Sequence, residues 1–248
     1  MTDRPILFAS PMVRALHDGR KTQTRRILKP QPGICDHLNP GPWHIEESFA
    51  YCGTCGNGVD LDRKYRGVPI RFAVGDRLWV RETCRGEELD NGQDVVRYAA
   101  DNAFLPIENS VDGGVRWLKL HTYRKHSGHS IGPWVNSIHM PRWASRLTLV
   151  VTDVRVERLQ DISEADAIAE GVERRTVPCC DGVSRALWFG VPHVGNERPA
   201  AAYADLWDSI NNPRGLCAED APNGWASNPW VRAISFTDHS GNIDQVSP

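Results

Sequence analysis

The stretch "ASRLTLVVTDVRVERLQDI", residues 144–162, decides the fold. Leu147, Leu149 and Val151 recur at every second position, the period of a β-strand with one covered face. Val154 and Val156 resume the apolar pattern on even positions, so the strand is expected to bend or bulge near Thr152 and Asp153. Immediately downstream, Ser163 followed by Asp166 resembles a capping box with Asp in place of the usual Glu. It opens a short helix, "EADAIAE", that Gly171 closes.

Working outward, "VGDRLWVRE" (74–82) is a Gly-Asp turn and a second strand, with Leu78 and Val80 on one face and Arg77, Trp79 and Arg81 on the other. At the start of the chain, "RPILFASPMVRALHDGRK" (4–21) opens with a short strand. Ser10 and Pro11 then supply an N-cap and a first-turn proline, and Met12, Val13, Ala15 and Leu16 an apolar helix face. Gly19 fits the left-handed position after the helix end. Near the other end, "PAAAYADLWDSIN" (199–211) places Tyr203, Leu206, Trp207 and Ile210 at helical spacing, and "NPWVRAISF" (228–236) is a closing strand. This order predicts an α+β fold with a mainly antiparallel, barrel-like sheet and without the βαβ rhythm of a parallel one.

At 248 residues the chain is read as a single domain, 1–248, carrying long insertions at about 30–71, 85–135 and 173–198. The first is rich in Pro, Gly and Asn; the second is loop-dominated, with weak strands near "DVVRYAA" and "GVRWLKL"; the third reads as a loop. The longest apolar runs are strand-sized, so no membrane span or secretion signal is expected and the location is expected to be cytoplasmic. Seven unevenly spread cysteines are not a dense disulfide framework. Cys52 and Cys55 in "YCGTCG" have the spacing of a zinc knuckle, which Cys35, His37 or His44 could complete as a structural zinc site.

A net charge of -2 argues against gripping nucleic acid through overall charge. Local charge differs, because "GRKTQTRR" (19–26) gathers Arg20, Lys21, Arg25 and Arg26 behind the first helix. A lysine serves as base or nucleophile only when burial or nearby cations lower its pKa, and these arginines could supply such cations. Adjacent strand residues face opposite sides, so Arg25 and Arg26 point apart and one of them can face a cleft while the other meets solvent or a phosphate. Glu82 could pair with Lys21 or with an arginine, and a structural ion pair is its expected role. Trp79 could stack a base, although a core position is expected for any one of nine tryptophans.

Five segments together resemble the phage and prophage branch of ASCH-domain proteins: residues 5–32, "GDRLWVRE", residues 137–171, "LWDSIN" and "NPWVRAISF". The resemblance implies a PUA-like fold, a small β-barrel with helices around a cleft. It also implies binding of RNA or modified nucleotides. One bacterial branch, locally similar in its Gly-Arg-Lys-Thr-x-Thr segment, hydrolyses N4-acetylcytidine. Carried onto this chain, that similarity implies an amidohydrolase removing an N4-acyl group from cytidine-type nucleosides without a catalytic metal. Lys21 would be nucleophile or base, Thr24 would orient the carbonyl or the water, and Glu170 would shuttle the proton. Arg25, Arg26, Glu82 and Trp79 are the candidate substrate-binding residues. The alternative is a non-enzymatic module of phage origin that binds RNA or a modified nucleotide.

Overall fold

The computed structural model describes residues 2–29, 31, 44–46, 49–51, 68–69, 71–123, 130–178, 184–217 and 220–246. In chain order they form β1 (Asp3–Leu7), α1 (Ser10–His17), β2 (Gln23–Ile27), β3 (His44–Glu46), β4 (Phe49–Tyr51), β5 (Val68–Pro69), β6 (Arg77–Arg81), β7 (Cys84–Glu88) and β8 (Asp94–Tyr98). Then follow β9 (Phe104–Pro106), α2 (Val111–His121), β10 (Leu147–Arg158), α3 (Glu164–Ala169), β11 (Glu173–Pro178), β12 (Ser184–Phe189), β13 (Gly195–Asn196), α4 (Pro199–Asn211) and β14 (Trp230–Ser240). The content is mixed α and β, the sheets are mainly antiparallel, and none closes into a barrel among the described residues. No described helix is long and apolar enough to cross a membrane.

The chain divides into two compact units, one made of Met1–Asp18, Asp76–Val150 and Asp238–Pro248, the other of Gly19–Gly75 and Val151–Thr237. β10 begins in the first and ends in the second. Burial along it changes phase where the sequence pattern does: Leu147, Leu149 and Val151 are buried, Thr152 and Asp153 are exposed in succession, and Val154 and Val156 are half-buried.

In the first unit β1 pairs parallel with β6, and β6 pairs antiparallel with β10. Leu78, Trp79 and Val80 of β6 are all buried, so both faces of this strand are covered rather than one. α1 buries Met12, Val13, Ala15 and Leu16 as expected. Ser10, however, is its first residue and not its cap, because the Ala9 carbonyl already accepts from the Met12 and Val13 amides.

Residues 85–123, in the stretch expected to be loop-dominated, carry regular structure instead. β7, β8 and β9 form an antiparallel sheet, and "GVRWLKL" lies within a helix, α2, instead of a strand. Ser110 caps that helix by accepting from the Gly113 amide, and Trp117, Leu120 and His121 form its buried stripe. Two glycines mask the helical pattern. A side chain at Gly113 would run into the Glu108 carbonyl, so that glycine is required by close packing. Leu120 joins Cys84, Val96, Tyr98, Val135, Met140 and Ala144 in one core cluster.

In the second unit β2 pairs antiparallel with β14, and β3, β4 and β5 form a small antiparallel sheet. Residues 173–178 and 184–198 are also not a loop, since β11, β12 and β13 form a third antiparallel sheet. β11 is mostly exposed on both faces, so it carries no apolar alternation to read; Arg174 lies 5.8 Å from the ring of its cross-strand partner Trp188 instead. α4 buries Ala202, Tyr203, Leu206 and Trp207, while Ile210, expected on that face, is 56% exposed in the last turn.

Candidate functional site

The second unit brings the basic segment and the short helix into register. Gly19 takes a left-handed φ of 67°, which turns the chain sharply out of the first helix. Arg20 donates to the Gly171 carbonyl at 2.9 Å, and the Thr22 amide donates to the Ala169 carbonyl at 2.9 Å. Lys21 is thereby pinned against the C-terminal end of α3, where Glu170 is the cap residue. At the other end of α3, Ser163 accepts from the Asp166 amide at 3.0 Å, as the capping pattern predicts.

Lys21 and Glu170 form a buried pair. Lys21 is 1% exposed and Glu170 3%. The ammonium donates to the Glu170 carboxylate at 2.7 Å and to the Glu170 carbonyl at 2.8 Å. Burial lowers the Lys21 pKa below the ordinary lysine value; Glu170 opposes that shift, and Arg26 and Arg25 add to it. An ammonium held in this way gives up its proton more readily than a solvated one.

Arg25 locks the other carboxylate oxygen. Its Nη1 donates to Glu170 Oε1 at 3.3 Å and to Gln23 Oε1 at 2.6 Å, its Nε to Glu157 at 2.8 Å and its Nη2 to Asp166 at 3.3 Å. Each guanidinium nitrogen thus faces an acceptor, in a side chain that is fully buried. The Tyr203 hydroxyl is also hydrogen-bonded to Glu170, and burial pushes its pKa up, so it stays a protonated donor. Asp166 and Glu157, with side chains 22% and 18% exposed, form the solvent-facing edge of the cluster.

Of the residues expected to act together, the structure joins Lys21, Glu170 and Arg25. Thr24 is buried but lies on the other side of β2. Gln23 and Arg25 share one face, where Gln23 reaches Ser235 of β14, and alternation sends Thr24 and Arg26 to the opposite face beside Ile234 and Arg232. Gln23, Glu157, Asp166 and Tyr203 belong to the site without having been singled out for it. Asp166 was visible only as a cap and Tyr203 only as a helix core residue, because their convergence depends on α3 and α4 packing together.

Glu82 and Trp79 belong to the first unit. Glu82, 1% exposed, accepts from Arg146 Nε at 2.7 Å and Nη2 at 2.9 Å, the structural ion pair expected of it, and its partner is Arg146. Arg146 also contacts Asp101 at 2.9 Å and lies 4.0 Å from the Tyr98 ring centroid. Trp79 is a core residue under the guanidinium of Arg81, at 5.2 Å. The candidate zinc residues Cys35, Cys52 and Cys55, with His37, lie outside the described residues, and only the backbone of His44 is described. Among the described residues no group of three His, Cys, Asp or Glu side chains is placed to hold a metal ion.

No family model, no curated protein and no solved structure matches this chain.

Proposed function

We propose that this chain is an ASCH domain of the PUA-like class and that the Lys21–Glu170 pair hydrolyses the N4-acyl amide of a cytidine-type nucleoside. The supporting observation is the 2.7 Å contact between a fully buried ammonium and a buried carboxylate, with the lysine pKa lowered by that burial. In the reaction, neutral Lys21 takes a proton from water as the water oxygen bonds to the acyl carbon. The acyl carbon to N4 bond then breaks, and Glu170 relays the proton from Lys21 to the departing amine, giving a carboxylic acid and cytidine. Arg25 and Tyr203 hold the carboxylate in place for that relay. Thr24, on the opposite face of β2, has no part in this version of the mechanism.

Arg25 is a poor phosphate anchor, since Glu157, Asp166 and Glu170 already surround its guanidinium. This favours chemistry on the base over a phosphate grip at that residue.

Purified full chain incubated with N4-acetylcytidine should release cytidine and acetate. Lys21→Ala and Lys21→Arg should both lose turnover, the second because arginine keeps the charge but does not release its proton near neutrality. Full activity in Lys21→Arg would overturn the proton-transfer role, and an inactive wild-type protein would overturn the hydrolase.

A further inference from the structure

The sheet of β7, β8 and β9 in the first unit has two unlike faces. Cys84, Val96 and Tyr98 turn one of them to the core. On the other, Arg85 of β7 stands directly opposite Arg97 of β8, and Arg97 directly opposite Phe104 of β9. Beyond β7, Val135 pairs antiparallel with Cys84, so the preceding residue, Trp134, falls beside Arg85 and extends the same row. The Arg85 guanidinium lies 4.5 Å from the Trp134 ring centroid, and that of Arg97 5.4 Å from the Phe104 centroid. Two like charges directly opposite across a strand pair would disfavour it, and Glu87 resolves that conflict. Its carboxylate accepts from Arg85 at 3.0 and 2.7 Å and from Arg97 at 2.8 Å twice. Both guanidinium planes are thereby fixed, and one positive charge is left over. Trp134 and Phe104, at the two ends of the row, are 42% and 47% exposed. Open apolar surface bordered by charge marks a contact site.

We propose that the row Trp134, Arg85, Arg97 and Phe104 is a stacking platform for single-stranded nucleic acid. Every base has a π-face that stacks on an aromatic ring or a guanidinium plane, whatever the sequence, and the surplus positive charge of the row suits a phosphate backbone. A duplex keeps its base faces against one another and offers none to the row. The two rings are three strand spacings apart, about 14 Å, so one strand crossing the sheet reaches both. The platform lies in the first unit and rests neither on Lys21 nor on the hydrolase reading.

The test is fluorescence anisotropy of the full chain with short labelled oligouridine and oligoadenosine, each as a single strand and annealed to its complement. The single strands should bind at least about tenfold more tightly than the duplexes. Trp134→Ala and Phe104→Ala should each weaken binding about fivefold or more, the worth of one base stacked on one ring, and Phe104→Tyr should keep it. Arg85→Lys, which keeps the charge and loses the plane, should weaken it as well. Both aromatic positions are exposed, so their alanine variants should hold the wild-type urea midpoint and carry the test if Arg85→Lys folds poorly. No binding of either single strand, equal binding of strand and duplex, or full affinity in either alanine variant would each overturn the platform. So would a wild-type dimer in sedimentation that Trp134→Ala dissociates, since the row would then face a second copy of the chain. Lys21→Arg should bind the oligomers as wild type does. Oligomer binding without hydrolysis of N4-acetylcytidine removes the hydrolase and keeps the platform; hydrolysis without oligomer binding does the reverse.

Discussion

Each unit of this chain buries a carboxylate against cations, and the two clusters solve that problem differently. In the first unit Arg146 holds Glu82 and Asp101 with paired contacts while stacked on Tyr98. In the second, Glu170 is shared between Lys21 and Arg25. A guanidinium stays charged at any pH the fold survives, so the Arg146 cluster is electrostatically fixed. An ammonium under full burial is the more labile cation, so the Lys21 cluster can hold a proton and release it. That contrast separates a structural ion cluster from a candidate chemical one more clearly than burial of the carboxylate does, since Glu82 and Glu170 are buried almost equally.

The largest effect is expected from Arg146→Ala, which leaves Glu82 fully buried without its cation. Removing one partner of a buried pair costs about 3–5 kcal/mol, to be read from urea denaturation. Arg146→Lys should recover little of this, because one ammonium does not span two carboxylates bidentately. The Cys84 thiol reports the same region. Burial, reinforced by Glu82 and opposed by Arg146, pushes its pKa up to about 12, so it should resist iodoacetamide at pH 8 in the native protein; in Arg146→Ala it should react through opening of the weakened fold, since losing the Arg146 charge alone raises the thiol further. A loss below about 1 kcal/mol for Arg146→Ala would show that the two clusters do not differ in the way argued.

How much of this was legible in the sequence follows from what each feature depends on. The long strand, its phase change at Thr152, the Ser163 cap, the turn at Gly19 and the segment holding Lys21 are local patterns, and each is where the residues place it. Lys21 and Glu170 are 149 positions apart in sequence and meet only in the fold. Thr24 did not join them because two intervening residues leave it on the far side of a pleated strand. α2 was hidden by Gly113 and Gly114, whose poor propensity is overridden by packing. β11 and β12 were hidden because an exposed sheet has no apolar face to announce it. Asp166, Glu157 and Tyr203 are ordinary surface or core residues until α3 and α4 pack on β2.

A smaller effect, and the sharper probe of the comparison, is the pH dependence of Lys21→Met. The Lys21 pKa is lowered on folding from a reference value of 10.5. Below the folded pKa both states carry the proton and the burial cost is fully present. Between the folded and the reference values the unfolded chain binds more protons, so the lysine's contribution to stability rises with pH. Lys21→Met should therefore cost about 1–3 kcal/mol near neutrality, softened because Arg25 and Tyr203 still donate to Glu170. The gap between wild type and this variant should widen toward pH 10. The corresponding gap for Arg146→Ala should show no such rise over that range. Parallel curves for the two variants would mean that Lys21 keeps its proton as firmly as an arginine, which would remove the physical basis of the hydrolase reading.

The smallest effect belongs to Arg155→Ala at the edge of the lysine cluster. Arg155 reaches Asp166 at 3.3 Å, but its side chain is 44% exposed. An exposed pair contributes about 0.2–1 kcal/mol and is screened by salt. Asp166 keeps Gln23 and Arg25 as donors without it. Denaturation midpoints of Arg155→Ala and wild type should thus differ by no more than that and should converge in 1 M salt, where exposed charges are screened within about 3 Å. A loss well above 1 kcal/mol that salt does not erase would mean that Asp166 depends on Arg155 to hold Arg25 against Glu170. The lysine cluster would then be a single network extending to the surface, built as rigidly as the one around Arg146.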